Sequence, residues 1–397
     1  MKTTIKLLFL LSVIITLNSC GVDDTADIII YDNSVINNGG GNTPTSQQIN
    51  LSGTYVDDLT LDANNSYIIN GPLVMTEGTT LTIPAGMTIR ALAAGSDVYL
   101  AIAQGAKILA NGTADSPIIF TSNSSDPQAG DWGGLILLGK APINSVTGGT
   151  ETATSEIGSL PYGGNNPNDD SGVLRYVRVE YSGGKADGQS ENNGFSFYGV
   201  GDATVVQYVE MYEGLDDGFE FFGGTVNVDF LVAVNAQDDS IDWTEGYIGT
   251  ITNAQVIHGP IHDKGIEADG YNTDIGNNSN PKFWSAPTIE NLTIIGLGSD
   301  TGNEAIRLRA GTRVTIKNAY IEGFNEGFDM DGDAINNPTG EGVLLDETNA
   351  INITFVDVNI KLKNDTGVSF PEFDFIQGDG DGDGTDYAFW GARWTVE

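Results

Sequence analysis

The sequence predicts an all-β protein, folded as a single-stranded right-handed parallel β-helix. Two types of short segment alternate from about residue 172 onward, and the second type recurs at steps of 24, 22, 25, 40 and 22 residues. Each segment alternates apolar and polar residues over three to five positions, which is the period of a strand with one buried face. Gly, Asn and Asp separate the segments. A period of 22 to 25 residues with several strands matches one coil of a parallel β-helix.

The N-terminus indicates a secreted lipoprotein, with residues 1–19 as its signal peptide. Lys2 and Lys6 precede an apolar run of 11 residues at 7–17, too short to span a bilayer but typical of a signal-peptide core. Leu17-Asn18-Ser19-Cys20 resembles a lipobox, and Cys20 is the only cysteine. We therefore expect lipidation at Cys20 and no internal disulfide. Residues 20–50 are rich in Gly, Asn, Asp, Thr and Ser, which predicts a flexible tether.

The β-helix domain is predicted to span residues 51–397. The second segment type is the clearest marker of the coils, and its members begin at Gly194, Gly218, Ser240, Gly265, Ala305 and Gly327. Residues 78–83 and 105–109 show the same pattern in the N-terminal part, and residues 351–360 continue it. The ends of a solenoid expose strand edges and need caps. We assign Leu51–Tyr67 and the tail Trp390–Trp394 to these caps.

The charge balance restricts the partners. Lysine and arginine number 17 and acidic residues 54, so the formal charge is 17 − 54 = −37. A charge this negative repels nucleic acid and anionic membrane surfaces, and it favours cations such as calcium.

Alignment of the coils places acidic residues in columns. Equivalent positions of successive coils lie about 4.7–4.9 Å apart. Like charges at that spacing either take up protons or bind a cation. The predicted calcium ligands are Asp216, Asp217, Glu220, Asp238, Asp239 and Asp242. The alternative is that Asn and Asp are simply favoured at sharp coil corners.

A second acidic run, from Asp379 through Asp381 and Asp383 to Asp386, alternates with glycine. Its first half matches the spacing of an EF-hand loop, but Trp390 occupies the position of the bidentate glutamate. We predict a calcium loop here, with a solvated acidic loop as the alternative.

Several long motifs resemble a Bacteroidetes family of surface lipoproteins. They are GDWGG at 130–134 with LGKAP at 138–142, DSGVLRYVR at 170–178, and DDGFE at 216–220 with FGGTVN at 222–227. The resemblance covers roughly residues 60–330 and implies a right-handed β-helix of pectate-lyase-like architecture, without catalytic residues to transfer. It also implies a gene near a TonB-dependent outer-membrane receptor. Asp23-Asp24 after the cysteine resembles an acidic export signal, so we expect a lipid-anchored protein at the cell surface.

Two functions remain open from the sequence. The first is a non-catalytic, monomeric, calcium-binding module that binds a glycan or an outer-membrane receptor. Its expected ligand-binding residues are Tyr198, Phe222, Glu267, Asp269 and Arg309. The alternative is a calcium-dependent polysaccharide lyase or a glycoside hydrolase acting on acidic glycans. Its candidate catalytic residues are Lys264, Arg307, Asp239 and Asp242, although the two cations could equally pair with nearby carboxylates.

Overall fold

The computed structural model describes residues 46–144, 151–185, 192–273, 281–332 and 339–397. The predicted signal peptide, Cys20 and most of the predicted tether lie outside these residues. The first strand already begins at Gln48, inside the range predicted for the tether. No helix within the described ranges is long and apolar enough to cross a membrane.

The N-terminal part contains nine strands that belong to the coils and one small hairpin. The nine are β1 (Gln48–Tyr55), β2 (Leu59–Thr60), β3 (Ser66–Met75), β4 (Thr80–Ile83), β5 (Thr88–Ala91), β6 (Gly95–Ile102), β7 (Lys107–Asn111), β8 (Ile118–Ser122) and β9 (Trp132–Leu138). The hairpin consists of β10 (Ala153–Thr154) and β11 (Pro161–Tyr162), which pair antiparallel. It belongs to a long loop over the outside of the coils.

The remaining strands form the regular coils. They are β12 (Gly172–Glu180), β13 (Phe195–Tyr198), β14 (Val205–Gly214), β15 (Phe219–Phe222), β16 (Asn227–Ala236), β17 (Ile241–Thr244), β18 (Thr250–Ile257), β19 (Ile266–Asp269), β20 (Thr288–Ile295), β21 (Glu304–Arg309), β22 (Val314–Met330), β23 (Thr348–Asn364) and β24 (Ile376–Asp379). The three short helices are α1 (Gly340–Leu344), α2 (Glu372–Phe375) and α3 (Tyr387–Trp390).

The pairing pattern confirms the predicted parallel β-helix. Each strand from β12 to β20 pairs in parallel with the next strand but one, as in the series from β12 through β14, β16, β18 and β20 to β22. The short strands form a second series, from β13 through β15, β17, β19 and β21 to β22. A strand that pairs one coil later is what a solenoid requires, and the registers reproduce the predicted steps. The fold is therefore all-β and a right-handed parallel β-helix.

The core is built from columns of apolar side chains inside the coils. One column is Phe195, Phe219, Ile241, Ile266, Ile306 and Phe328, and the next is Phe197, Phe221, Trp243, Ala268, Leu308 and Met330. All of these side chains are fully buried. The Phe195 and Phe219 rings are stacked with centroids 4.8 Å apart. The alternating pattern of the sequence thus fixes which face of each short strand points inward.

A bend divides each long strand into two parts that lie on different faces of the helix. The bend residue has φ between +48° and +62° in seven successive coils, and these residues are Tyr176, Tyr208, Phe230, Asn253, Asn291, Asn318 and Asn352. The asparagines form a ladder in which Asn291 donates to Asn253 Oδ1 (3.1 Å) and Asn318 donates to Asn291 Oδ1 (2.7 Å). The left-handed region suits asparagine, whereas the aromatic residues need compensating contacts.

Those contacts come from the C-terminal strap, residues 378–397, which runs back along the column of bends. Its Asp383 N–H donates to Asn318 (2.7 Å), and Trp390 packs on Phe230 with ring centroids 5.3 Å apart. Trp394 is fully buried and meets Tyr208 and Tyr176 edge-on. The strap therefore lies along the side of the coils, and the prediction that Trp390–Trp394 caps the end of the stack is wrong.

The two ends of the stack are built from different elements. At the N-terminal end, Leu51–Tyr67 contains β1, which pairs in parallel with β3, and Leu51 is buried in the core, so the predicted cap belongs to the first described coil. At the C-terminal end, Phe375 of α2 is fully buried and meets Phe328 edge-on, with centroids 5.0 Å apart. Phe355 contacts the same ring at 6.0 Å. Aromatic rings from the last coil and from α2 thus cover the end of the core.

Candidate metal site

The outward-facing positions of the short strands form the predicted acidic row. This row and the turns that precede the short strands are here called the acidic face. Glu220 on β15 pairs in register with Asp242 on β17, which pairs with Glu267 on β19. The next members are Arg307 on β21 and Asp329 on β22. Side chains at one register position of a parallel sheet point to the same side, so the predicted acidic row exists.

The preceding turns hold the second row of carboxylates. Asp217 Oδ1 accepts a hydrogen bond from the Asp239 N–H (2.9 Å), and Asp239 Oδ1 accepts one from the Lys264 N–H (2.7 Å). Each carboxylate therefore receives a backbone donor of the next coil. This fixes the aspartate of the turn beside the outward glutamate or aspartate of its strand. An aspartate that is favoured at the turn is therefore also a carboxylate of the charged cluster.

Four groups of three carboxylates have oxygen atoms within 4.8 Å of one another, close enough to share an ion. The groups are Asp216–Asp217–Asp238, Asp217–Glu220–Asp242, Asp238–Asp239–Asp263 and Asp239–Asp242–Glu267. All six predicted ligands of the acidic face are in them. The structure therefore brings together the residues that the sequence placed in columns.

The groups differ in the cations that neutralise them. Lys185 lies 3.0 Å from Asp216 and 3.9 Å from Asp238. Lys264 contacts Asp239 and Asp263, at 3.8 and 2.6 Å. Among the residues that the structure describes, no lysine or arginine nitrogen lies within 4.0 Å of Asp217, Glu220 or Asp242. This group, here called the open triplet, forms no direct ion pair within these residues, although the more distant Arg309 attracts Asp242.

Burial and mutual repulsion act together on the open triplet. Desolvation raises the pKa of Asp217, Glu220 and Asp242 well above the ordinary value, and neighbouring carboxylates raise it further. Among the described residues, only Asn193 donates a side-chain hydrogen bond to this group, from its Nδ2 to Glu220 at 2.6 Å. In the absence of an ion these groups favour the protonated form. A bound cation would reverse that preference, because it interacts only with the ionised oxygens.

The candidate catalytic cations are occupied by ion pairs. Lys264 contacts Glu267 at 3.1 Å in addition to its two aspartates. Burial of the Lys264 ammonium lowers its pKa, but the three carboxylates raise it by more, so the pKa lies above the ordinary value. Arg309 lies 2.5 Å from both Glu267 and Asp269. Arg307 pairs with Asp331 and lies 3.6 Å from Glu267. The predicted ligand-binding residues Glu267, Asp269 and Arg309 are thus partners of one another.

The two aromatic residues predicted to stack on sugar rings are buried. Tyr198 and Phe222 point outward from the coils and stack on each other, with centroids 4.0 Å apart, but each is only 2% exposed. Tyr162 of β11 covers Tyr198 at 4.8 Å, and Ile143 and Ile157 complete this small outer core. A loop folded over an outward aromatic pair was not visible in the repeat, so this prediction is wrong.

The four aspartates of the second acidic run lie on the C-terminal strap and are exposed. Asp379 pairs with Lys361. Gly382 and Gly384 pack closely against the coils, Gly382 beside the Ala319 and Asn352 carbonyls. The structure does not bring the carboxylates of Asp379, Asp381, Asp383 and Asp386 together as it does those of the acidic face.

Sequence reasoning missed three residues of the charged cluster. Asp263 occupies the turn position of Asp216 and Asp238 in the next coil, so the repeat alignment already pointed to it. Asp331 directly follows Met330, at the register position that Arg309 and Asp269 hold in the two preceding coils, so the alignment also reached it. Lys185 lies in an irregular segment, and its contribution depends on how that segment folds back, which the repeat does not encode.

The chain is similar to a solved structure and to a protein family. The crystal structure of the catalytic unit of a thermostable GH87 α-1,3-glucanase from Streptomyces thermodiastaticus strain HF3-3 is similar over 86% of this chain, at 10% identity and a TM-score of 0.36. This chain spans 65% of the length of that structure. No curated protein sequence matches the chain. The family model described as pectate-lyase like beta helix domain matches residues 53–395. Because this match covers nearly the whole described β-helix, the chain belongs to the pectate-lyase-like β-helix domain family.

Proposed function

We propose that this protein is a non-catalytic, cell-surface lipoprotein whose β-helix binds calcium at Asp217, Glu220 and Asp242 and uses the ion to bind a glycan or an outer-membrane receptor. The observation that carries the proposal is the open triplet. Its oxygens lie within 4.8 Å of one another, whereas each of the three other groups contains a carboxylate that is paired with a lysine.

Calcium fits the chemistry of the open triplet. Ca²⁺ prefers oxygen ligands and takes six to eight of them in flexible geometry. Three carboxylates leave several coordination positions for water or for an external ligand. The hydroxyl and carboxylate oxygens of an acidic glycan are suitable ligands for those positions, and the ion would bridge two negative partners that otherwise repel each other.

Isothermal titration of calcium into residues 46–397 tests the site. We expect Asp242→Asn to weaken calcium binding by more than about tenfold, because it removes one anionic ligand without changing the shape of the side chain. The matched control is Asp381→Asn on the C-terminal strap, which should bind calcium as the unchanged protein does. Equal calcium affinity in all three proteins would refute the proposed site.

A calcium-dependent lyase is the second candidate, favoured by the attraction between Arg309 and Asp242 at the edge of the open triplet. A lyase needs a base that can accept a proton, and the ion pairs of Lys264, Arg307 and Arg309 work against that role. Incubation with polygalacturonate and alginate separates the two candidates. Calcium-dependent retention without unsaturated products supports the binding module, whereas the ultraviolet absorbance of unsaturated uronates would establish the lyase.

The cell-surface location rests on the N-terminal sequence. Metabolic labelling with palmitate should mark the full chain and not Cys20→Ala. Accessibility of the protein to protease on intact cells would distinguish the outer surface from the periplasmic face. A TonB-dependent receptor as partner would be detected by co-purification with the full chain that is lost on calcium chelation.

A further inference from the structure

A groove of about 420 Å³ lies on another face of the β-helix, away from the acidic face. It is formed by the first parts of the long strands β14, β16 and β18, on the N-terminal side of their bends. Its floor and walls include Val205, Gln207, Asn227, Asp229, Thr250 and Thr252. The volume lies within the range of about 300–1,000 Å³ that is usual for small-molecule sites.

The strand register makes the groove a regular array. Gln207 pairs with Asp229 and Asp229 with Thr252, so one column crosses three coils. Val205 pairs with Asn227 in the neighbouring column. Successive members of a column are about 4.8 Å apart, close to the length that one pyranose adds to an extended polysaccharide. A polysaccharide lying along the helix axis would therefore meet one polar side chain of this column for each sugar unit.

Hydrogen bonds between coils hold these side chains and leave part of each one unused. Arg175 donates to Gln207 Oε1 at 2.8 and 3.1 Å, and the Thr250 N–H donates to Asn227 Oδ1 at 2.9 Å. Thr252 and Asn253 both donate to Asp229 Oδ1. Within the described part of the chain, Gln207 Nε2, Asn227 Nδ2 and Asp229 Oδ2 have no hydrogen-bond partner. Two donors and one acceptor on residues that line the groove are therefore available to a ligand.

This combination suits a neutral sugar. Hydroxyl groups both donate and accept, so a vicinal diol can bond an amide N–H and a carboxylate oxygen together. Val205 provides an apolar surface for the C–H face of a pyranose ring. A uronate would meet the Asp229 carboxylate in a protein of net charge −37, and no cation cluster in the groove would compensate for it. Arg175 and Asp229 lie in one column on either side of Gln207, so this column carries one charge of each sign, which favours an uncharged chain.

We propose that this groove binds an extended neutral polysaccharide, independently of calcium and of the acidic face. The inference goes beyond the calcium-dependent function proposed above, since the two sites lie on different faces and differ in the charge of their ligands. Either site can therefore exist without the other.

Affinity electrophoresis of residues 46–397 in gels containing glucomannan, xyloglucan or soluble starch tests the proposal. We expect retardation by at least one of these neutral polysaccharides, unchanged by EDTA. Gln207→Ala/Asn227→Ala should weaken that binding by about tenfold or more, because two hydrogen bonds to the ligand are lost. Both side chains are outside the core, so the double variant should fold normally, as circular dichroism and thermal unfolding would check.

The matched control is Thr315→Ala, two coils along the column of Thr250 and outside the groove. It should bind within about twofold of the unchanged protein. Absence of retardation in all three gels, or equal binding by the double variant and the control, would overturn the proposal. Loss of binding on addition of EDTA would also overturn it and would assign the neutral glycan to the calcium site. A failure of the calcium titration would leave the groove unaffected.

Discussion

Glu267 connects the cations of the acidic face. Its carboxylate contacts Lys264 at 3.1 Å, Arg309 at 2.5 Å and Arg307 at 3.6 Å. The Lys264 and Glu267 side chains are only 5% and 11% exposed. Buried ion pairs contribute little net stability, but removal of one partner leaves the other charge unpaired in a poorly solvated place. The network is therefore sensitive to single substitutions.

We expect Glu267→Gln to lower the free energy of unfolding by about 3 kcal/mol, because three cations lose their shared partner. Urea denaturation measures the change. Glu290→Gln is the matched control, since Glu290 pairs with Lys317 at 3.0 Å with both side chains more than 40% exposed. A surface pair of this kind contributes less than about 1 kcal/mol. Equal losses of unfolding free energy in the two variants would show that the buried network contributes no more to stability than an exposed ion pair.

The sequence predicted which acidic residues lie on the acidic face, but it did not predict which lysine and arginine side chains pair with them. Glu220, Asp242 and Glu267 follow from the strand period, because each occupies the outward position between two apolar residues of a repeated segment. The open triplet is open only because Lys185, Lys264 and Arg309 bind other carboxylates. Their positions depend on side-chain reach and on irregular turns, and a repeat alignment contains neither.

In the column of bends, the left-handed backbone conformation destabilises the fold, whereas the contacts between coils stabilise it. Asn291 has φ +59° and both donates to Asn253 and accepts from Asn318. A left-handed conformation costs a residue with a Cβ atom about 1–2 kcal/mol. Asparagine tolerates this conformation, and its amide gains ladder hydrogen bonds. The bend therefore depends on both properties of the side chain.

Two substitutions separate these properties. Asn291→Gly should lower the free energy of unfolding by about 1 kcal/mol, because the ladder bonds are lost but the left-handed conformation costs nothing. Asn291→Ala should lower it by about 1–2 kcal/mol more, because alanine adds the backbone cost. Urea denaturation measures the free energy of unfolding of both variants and shows which of them is less stable. A glycine variant as unstable as the alanine variant would mean that strain at the bend is unimportant.

The C-terminal strap stabilises the aromatic part of the same column. Trp394 is fully buried against Tyr176 and Tyr208, and Arg178 donates to its carbonyl oxygen at 2.9 Å. The need to cover the exposed strand edges at the ends of a solenoid predicted this tail at the end of the stack. The contacts of Trp394 instead reach residues about 200 positions earlier, a separation that no local pattern records.

Removal of the indole tests whether the strap contributes to stability. Trp394→Ala should lower the free energy of unfolding by about 3–5 kcal/mol, the usual cost of deleting a buried tryptophan. Phe389→Ala is the control on the same strap, because Phe389 is 83% exposed and should change stability by less than about 0.5 kcal/mol. If thermal unfolding is unchanged by Trp394→Ala, the strap is docked too weakly to support the bends.

The whole molecule combines a neutral, apolar interior with a surface of strong negative charge. Its fold follows from periodicity, because a repeat of two-sided strands has few ways to bury its apolar faces other than by stacking coils. Its charge does not follow from the fold. The carboxylates of the acidic face occupy no core column, so the fold does not require them to cluster there. The buried open triplet is where this clustering affects stability.

The pH dependence of stability follows from the open triplet and its neighbour Asp239. Burial raises the pKa of all four carboxyl groups above the ordinary values of 3.8 and 4.5. The native protein therefore holds these protons more tightly than the unfolded chain. The resulting stabilisation is complete below about pH 4 and is lost as the pH rises through the raised native values. Groups with lowered pKa, such as Asp331, act in the opposite direction but are fewer in this cluster.

Calcium should reverse this trend, because it binds the ionised carboxylates of the native state and adds stability by mass action. We expect the melting temperature in EDTA to fall between about pH 5 and about pH 8. Millimolar calcium should restore it at the higher pH and change it little at the lower one, where protons compete for the ligands. Differential scanning calorimetry provides the measurement, and Asp242→Asn should respond less to both pH and calcium. A melting temperature in EDTA that rises with pH would mean that these carboxylates are ionised and stable without a metal ion, and the open triplet would then have no need of calcium.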